Sequence, residues 1–168
     1  TRGTLWDIGA DQLMCKVYYS VGTSAGNLNT GAATVTITGG NTATFSAGLP
    51  TNIGVGDKLT YSGNIAYIYQ RNSSTVYLVQ SATGGVATNI GSGTSCTVTR
   101  AFNSIYGAVN TGAFNASHLN TDNLITGNYI LNIPCYADGA DPGGGVFGGA
   151  TTGPNNYIKI YAPVSASE

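Results

Sequence analysis

Residues 34–46 read Thr34-Val35-Thr36-Ile37-Thr38-Gly39-Gly40-Asn41-Thr42-Ala43-Thr44-Phe45-Ser46. Two short runs rich in β-branched and aromatic residues flank Gly39-Gly40-Asn41. Such runs joined by a glycine-rich turn make a β-hairpin. The same cadence continues through Val55-Gly56-Asp57-Lys58-Leu59-Thr60-Tyr61, Ile65-Ala66-Tyr67-Ile68-Tyr69 and Thr75-Val76-Tyr77-Leu78-Val79. Strands spaced by about ten residues, with Gly, Asn or Ser at each joint, predict a small barrel or sandwich. That unit is expected to span residues 30–98.

Upstream, Leu13-Met14-Cys15-Lys16-Val17-Tyr18-Tyr19-Ser20-Val21 reads as a strand that ends in the turn-forming stretch 22–27. Leu5, Trp6 and Ile8 lie ahead of it, on an arm that carries the only Trp. A Trp can bury up to about 250 Å², so the arm is expected to contact another subunit or to fill a groove in the C-terminal part. Arm and first strand together make a unit over residues 1–29.

Downstream, Thr99 is placed to cap a helix over residues 100–109, whose Ala101, Phe102, Ile105, Tyr106 and Val109 form one apolar stripe. Two further strands follow, at 129–133 and 157–161, on either side of the glycine-rich loop 139–145. The expected fold is therefore mainly β: a small β-barrel or sandwich followed by a single capping helix and a partial β-solenoid-like coil over residues 99–168.

Composition narrows the function. Charged residues make up 8% of the 168, against about 25% in ordinary domains, and the formal net charge is -1. Without a basic field there is nothing to gather phosphates, which argues against nucleic acid as a partner. A near-zero charge also permits close self-association. The hydrophobic fraction of 42% and the eleven Tyr and four Phe are enough for a core. No run of about 18 apolar residues is present, so no helical membrane span is expected.

Catalytic constellations are sparse. The single His118 sits in a polar stretch where it reads as a loop residue bonding the backbone. Asp138 and Asp141 flank a glycine-rich turn whose carbonyls could complete a calcium shell, against the simpler reading of turn-forming aspartates. No other cofactor is implied. The three cysteines have no metal-binding spacing. Cys15 and Cys96 each lie in a strand-like run and are the pair for one disulfide, the alternative being three buried thiols. Tyr67 with Tyr69, and Tyr157 with Lys159 and Tyr161, stand two apart and should share a sheet face, either in a core or subunit contact or as a platform for sugar rings.

The order of elements around Arg100-Ala101-Phe102-Asn103-Ser104-Ile105, His118-Leu119-Asn120-Thr121, Gly127-Asn128-Tyr129-Ile130-Leu131-Asn132 and Asn156-Tyr157-Ile158-Lys159-Ile160 resembles the N-terminal region of secreted right-handed parallel β-helix (pectate-lyase-like) surface proteins of environmental bacteria. The resemblance covers roughly residues 99–164, and its motifs carry packing and no chemistry. It implies a helix-capped first coil, and a coil buries its core only against a neighbour. With about one coil in this sequence, the expectation is either that further coils of the solenoid have been cut away or that another copy covers the open end.

The expected function is thus that of a non-enzymatic structural subunit of an extracellular filament or cell-surface assembly, with copies of itself as head-to-tail partners. Leu5, Trp6, Ile8, Tyr157, Ile158 and Tyr161 are the expected subunit contacts. The alternative is a glycan-binding or adhesive module of a larger secreted β-solenoid protein.

Overall fold

A computed structural model of the chain describes residues 14–110, 112–115, 117–144, 148–165 and 167. The predicted hairpin is present. Strand β2 (Val35–Thr38) pairs antiparallel with β3 (Thr42–Phe45), and Gly39 and Gly40 both take positive φ in the turn. Consecutive left-handed residues match the twist of the flanking strands. Strands β4 (Lys58–Tyr61), β5 (Asn64–Arg71), β6 (Val76–Gln80), β7 (Ile90–Thr94) and β8 (Cys96–Thr99) complete a seven-stranded sheet of order β7-β2-β3-β6-β5-β4-β8. Its two outermost strands, β7 and β8, are separated in sequence by Ser95 alone. The sheet must therefore curl until its ends nearly meet, which makes it barrel-like.

Alternation decides what fills the interior. Val35, Ile37, Ala43, Phe45, Leu59, Tyr61, Ala66, Ile68, Tyr77, Val79 and Val98 are buried in one cluster, while the intervening residues face outward. Strand β7 escapes a reading from sequence because Ile90-Gly91-Ser92-Gly93-Thr94 lacks the alternation and contains two glycines.

The second layer is a parallel sheet. Strand β1 (Cys15–Tyr18) pairs with β9 (Tyr129–Pro134), and β9 pairs with β10 (Ile158–Tyr161), both in parallel. The first strand therefore belongs with the C-terminal strands, and the barrel enters the chain between the first and second rungs. Every residue of β9 is buried, as expected for the central strand of a parallel sheet. Isolated parallel bridges join Val21 to Phe102 and to Cys135, and Asn123 to Thr151. Among the described residues these short parallel ladders are the whole of the coil, and no continuous solenoid is formed.

The helix is shorter than predicted. Helix α1 covers Ile105–Val109, with Ser104 as its cap accepting the amide of Gly107. Thr99 instead ends β8, Phe102 is held by backbone bonds to Ser20 and Gly22 in the continuation of the first strand, and the Arg100 side chain reaches Asp57 and Asp138. The predicted stripe forms only in part: Val109 is buried and Ala101, Phe102 and Ile105 pack beside the same core, but Tyr106 is exposed, and Ala101 and Phe102 precede the helix. A second short helix, α2 (Leu124–Gly127), leads into β9 through Asn128 in the left-handed conformation.

Candidate functional site

Two layers meet at Arg100. Its Nη1 lies 2.8 Å from Asp57 Oδ1 and donates to the Asn52 carbonyl, on the barrel side. Its Nε lies 2.7 Å from Asp138 Oδ2, and Nη2 donates to Asp138 Oδ1, on the coil side. The guanidinium sits 3.8 Å from the centre of the Tyr136 ring, whose hydroxyl donates to the Val55 carbonyl. Burial pushes the Asp57 carboxyl up to about 6, against the opposing pull of Arg100. Hydrogen bonding to Arg100 holds Asp138 below the usual carboxylate range. The cluster is a structural tie, and its only sequence signal was one Arg in an otherwise uncharged stretch.

His118 does not bond the backbone through its ring, as expected of a loop histidine. It is buried, stacks on Phe102 at 4.3 Å between centroids and meets Tyr19 edge-on, while Nδ1 pairs with Asn115 Oδ1. Nε2 is buried without a partner. Burial first, and the charge of Lys58 second, lower its pKa to about 4. The ring is thus neutral in the folded protein. Between about 6.5 and about 4 the unfolded chain binds a proton that the folded chain refuses, so this contribution is present above pH 6.5 and is lost as pH falls to 4. Asp57 acts in the opposite sense, because its folded pKa is raised. His118→Phe is therefore expected to close the gap to the wild type, or to overtake it, between pH 7 and pH 4 in urea unfolding. Parallel pH profiles for the two proteins would sink this assignment.

The cysteine pairing is not formed. Cys15, Cys96 and Cys135 are all free thiols. Cys15 Sγ donates to the Thr83 carbonyl beside the parallel sheet, whereas Cys96 Sγ donates to the Ala33 carbonyl at the barrel core. The two sulfurs serve different hydrophobic clusters. The aspartates of the calcium candidate are engaged with the protein: Asp138 with Arg100, and Asp141 with the amides of Ile105 and Gly143. Among the described residues no three His, Cys, Asp or Glu side chains converge.

Of the expected contact residues, Leu5, Trp6 and Ile8 lie outside the described residues. Tyr157, Ile158 and Tyr161 fall on or beside β10, at the end of the parallel sheet. Alternation splits them. Ile158 and Ile160 line an apolar hollow of about 190 Å³ with Val109, Gly148, Ala150 and Thr152. Tyr157, Lys159 and Tyr161 face the other way, into a cleft of about 640 Å³.

The floor of that cleft is the outer face of the parallel sheet. The strand register sets Lys16 beside Ile130, and Tyr18, Asn132 and Lys159 in one row. Its wall is β5, where Tyr69, Gln70 and Arg71 stand at a register shift in the pairing with β6. Tyr67 and Tyr69 were expected to share a surface, yet Tyr67 is fully buried against Tyr19 while Tyr69 remains partly exposed in the cleft. Such bulges re-aim a side chain.

The two edges of the parallel sheet differ. The outer edge of β1 is covered by the barrel and its exit: Gln80 Nε2 donates to Lys16 O, Ser20 N donates to Gly56 O, and Phe102 N donates to Ser20 O. On β10, the carbonyls of Tyr157 and Tyr161 accept from β9 and from Cys135. The peptide groups of Ile158 and Ile160 therefore face outward, and no described strand pairs with them.

No protein-family model matches this chain, and neither a curated protein nor a solved structure matches it.

Proposed function

We infer that the chain is a non-enzymatic structural module of an extracellular or cell-surface assembly, extended by strand addition at β10. The observation that carries this reading is the outer edge of β10, unpaired among the described residues, beside its apolar hollow. An open edge with exposed Ile160 is a template for another strand. The added strand satisfies the outward peptide groups, and its apolar side chains fill the hollow. Because the barrel covers β1, the next copy does not offer β1 itself. Its arm, with Leu5, Trp6 and Ile8, supplies the strand, which gives a head-to-tail array. The chain order of β1, β9 and β10 along the parallel sheet is what supports the likeness to the start of a parallel coil. The burial of His118 and the pairing of Asp57 and Asp138 with Arg100 support a role without acid and base catalysis.

The test is the state of association, by sedimentation velocity and negative-stain microscopy across a concentration series. The intact protein is expected to form higher species, whereas Ile160→Asp and a variant lacking residues 1–12 are expected to stay monomeric with unchanged circular dichroism. An intact protein that is monomeric at every concentration would defeat the proposal. So would association that survives both changes.

A further inference from the structure

The cleft between the barrel and the parallel sheet concentrates charge in a chain that has little. Three of the six Lys and Arg residues, Lys16, Arg71 and Lys159, line it, and no Asp or Glu does among the described residues. Lys16 and Lys159 are exposed at opposite corners of the sheet grid, two strands and two residues apart. Strand spacing of about 4.8 Å and a rise of about 3.3 Å per residue put their Cα atoms roughly 12 Å apart. Arg71 is fixed in place. Its Nη1 donates to the carbonyls of Pro50, Thr51 and Ile53, and its guanidinium lies 5.4 Å from the centre of the Tyr77 ring.

Tyrosyl rings share the cleft with these cations. Tyr18, Tyr69, Tyr157 and Tyr161 line the same cleft, with the amides of Gln70 and Asn132. Asn132 donates its Nδ2 to the carbonyls of Val17 and Ile130, which fixes the amide in the floor of the cleft. Aromatic faces, amides and spaced cations, with no carboxylate among the described lining residues, suit a ligand that has flat apolar ring faces, hydroxyls and negative charge together. A polyphosphate chain fits less well, because Arg71 is engaged with backbone carbonyls, Lys159 Nζ lies 4.7 Å from the centre of the Tyr161 ring, and the whole chain carries a net charge of -1.

We propose that this cleft binds a short stretch of an anionic polysaccharide, its acid groups met by Lys16, Arg71 and Lys159 and its sugar rings laid on the tyrosines. The site rests on the cleft alone and not on strand addition, because β10 sends alternate residues to the two places.

The experiment is calorimetric titration of the whole protein with a soluble polyuronate, with dextran sulfate, with uncharged dextran and with single-stranded oligonucleotide. Binding is expected for the polyuronate, the sulfate or both, weakening as salt rises, and absent for uncharged dextran. Lys16→Gln with Lys159→Gln should weaken it about tenfold or more, as should Tyr157→Ala, with the melting temperature unchanged because all three side chains are exposed. Ile160→Asp, which blocks the β10 edge, should leave this binding intact, so that failure of strand addition and failure of the cleft are told apart. Binding to no glycan overturns the proposal. It is equally overturned by equal affinity for uncharged dextran, by affinity unmoved in both cleft variants, or by tighter binding of the oligonucleotide.

Discussion

Arg100→Ala is expected to lower the unfolding free energy by about 3 to 5 kcal/mol, the range for removing one partner of a buried ion pair. The Asp57 side chain is fully buried, and that of Arg100 nearly so. Without the guanidinium the Asp57 carboxylate keeps the Gly54 amide and loses its countercharge. Its pKa, already pushed up to about 6, would then rise further. A folded pKa above the unfolded value means that the folded state holds a proton which the unfolded chain releases. The stabilisation this gives is complete below about pH 4 and is lost as pH rises through the folded pKa. The deficit of Arg100→Ala should therefore be smaller at pH 5 than at pH 7.5 in guanidinium unfolding. Pairing Arg100→Met with Asp57→Leu should recover part of the loss, since no charge is left stranded. A deficit under 1 kcal/mol, or one that does not change with pH, would show that this cluster does not tie the layers together.

Gly56→Ala should be almost as damaging, for a steric reason. Gly56 has φ +87°, and a Cβ there would lie 2.5 Å from Ser20 N and 2.8 Å from Pro134 Cγ, both on the coil. Its carbonyl accepts from Ser20 N at 2.8 Å, so the two backbones cannot part without breaking that bond. Backbone strain of about 1 to 3 kcal/mol adds to overpacking of about 1 to 3 kcal/mol. The expected loss is then about 2 to 6 kcal/mol. Gly63 is the internal control, because it has φ +77° and open space around the missing Cβ. Gly63→Ala should lose only the conformational part, about 1 to 2 kcal/mol. Equal losses at the two positions in thermal or denaturant unfolding would mean that the close approach at Gly56 carries no weight.

Much of the barrel was legible because its information is local. The alternation of Val35, Ile37, Ala43 and Phe45, and the glycines between the two strands, state both the strands and the turn within thirteen residues. Tyr129–Ile133 and 157–161 were readable for the same reason. The helix boundary was not, since Ala101, Phe102 and Ile105 satisfy helical spacing while Phe102 and Arg100 gain more from contacts to Ser20, Val21 and Asp57. Tertiary contacts outweighed a weak local preference. The cysteine pairing failed similarly: strand-like surroundings say nothing about which sulfurs approach.

The candidate cleft shows where local reading stops. Tyr157, Lys159 and Tyr161 could be placed on one face of a strand from their spacing alone, and that placement holds. Lys16 and Tyr18 join them only because β1 pairs with β9 across more than a hundred residues, and Tyr69 only because β5 bulges toward them. By itself the sequence determined the β-rich character, the hairpin cadence, the scarcity of charge and the faces of individual strands, all of which follow from steric and hydrophobic preferences acting over a few residues. The tertiary structure alone decided that the first strand joins the last two, that Arg100 closes the junction, and which sheet edge stays open. Parallel pairing joins segments far apart in the chain, and its register is set by the complementarity of whole faces, which no short stretch of sequence encodes.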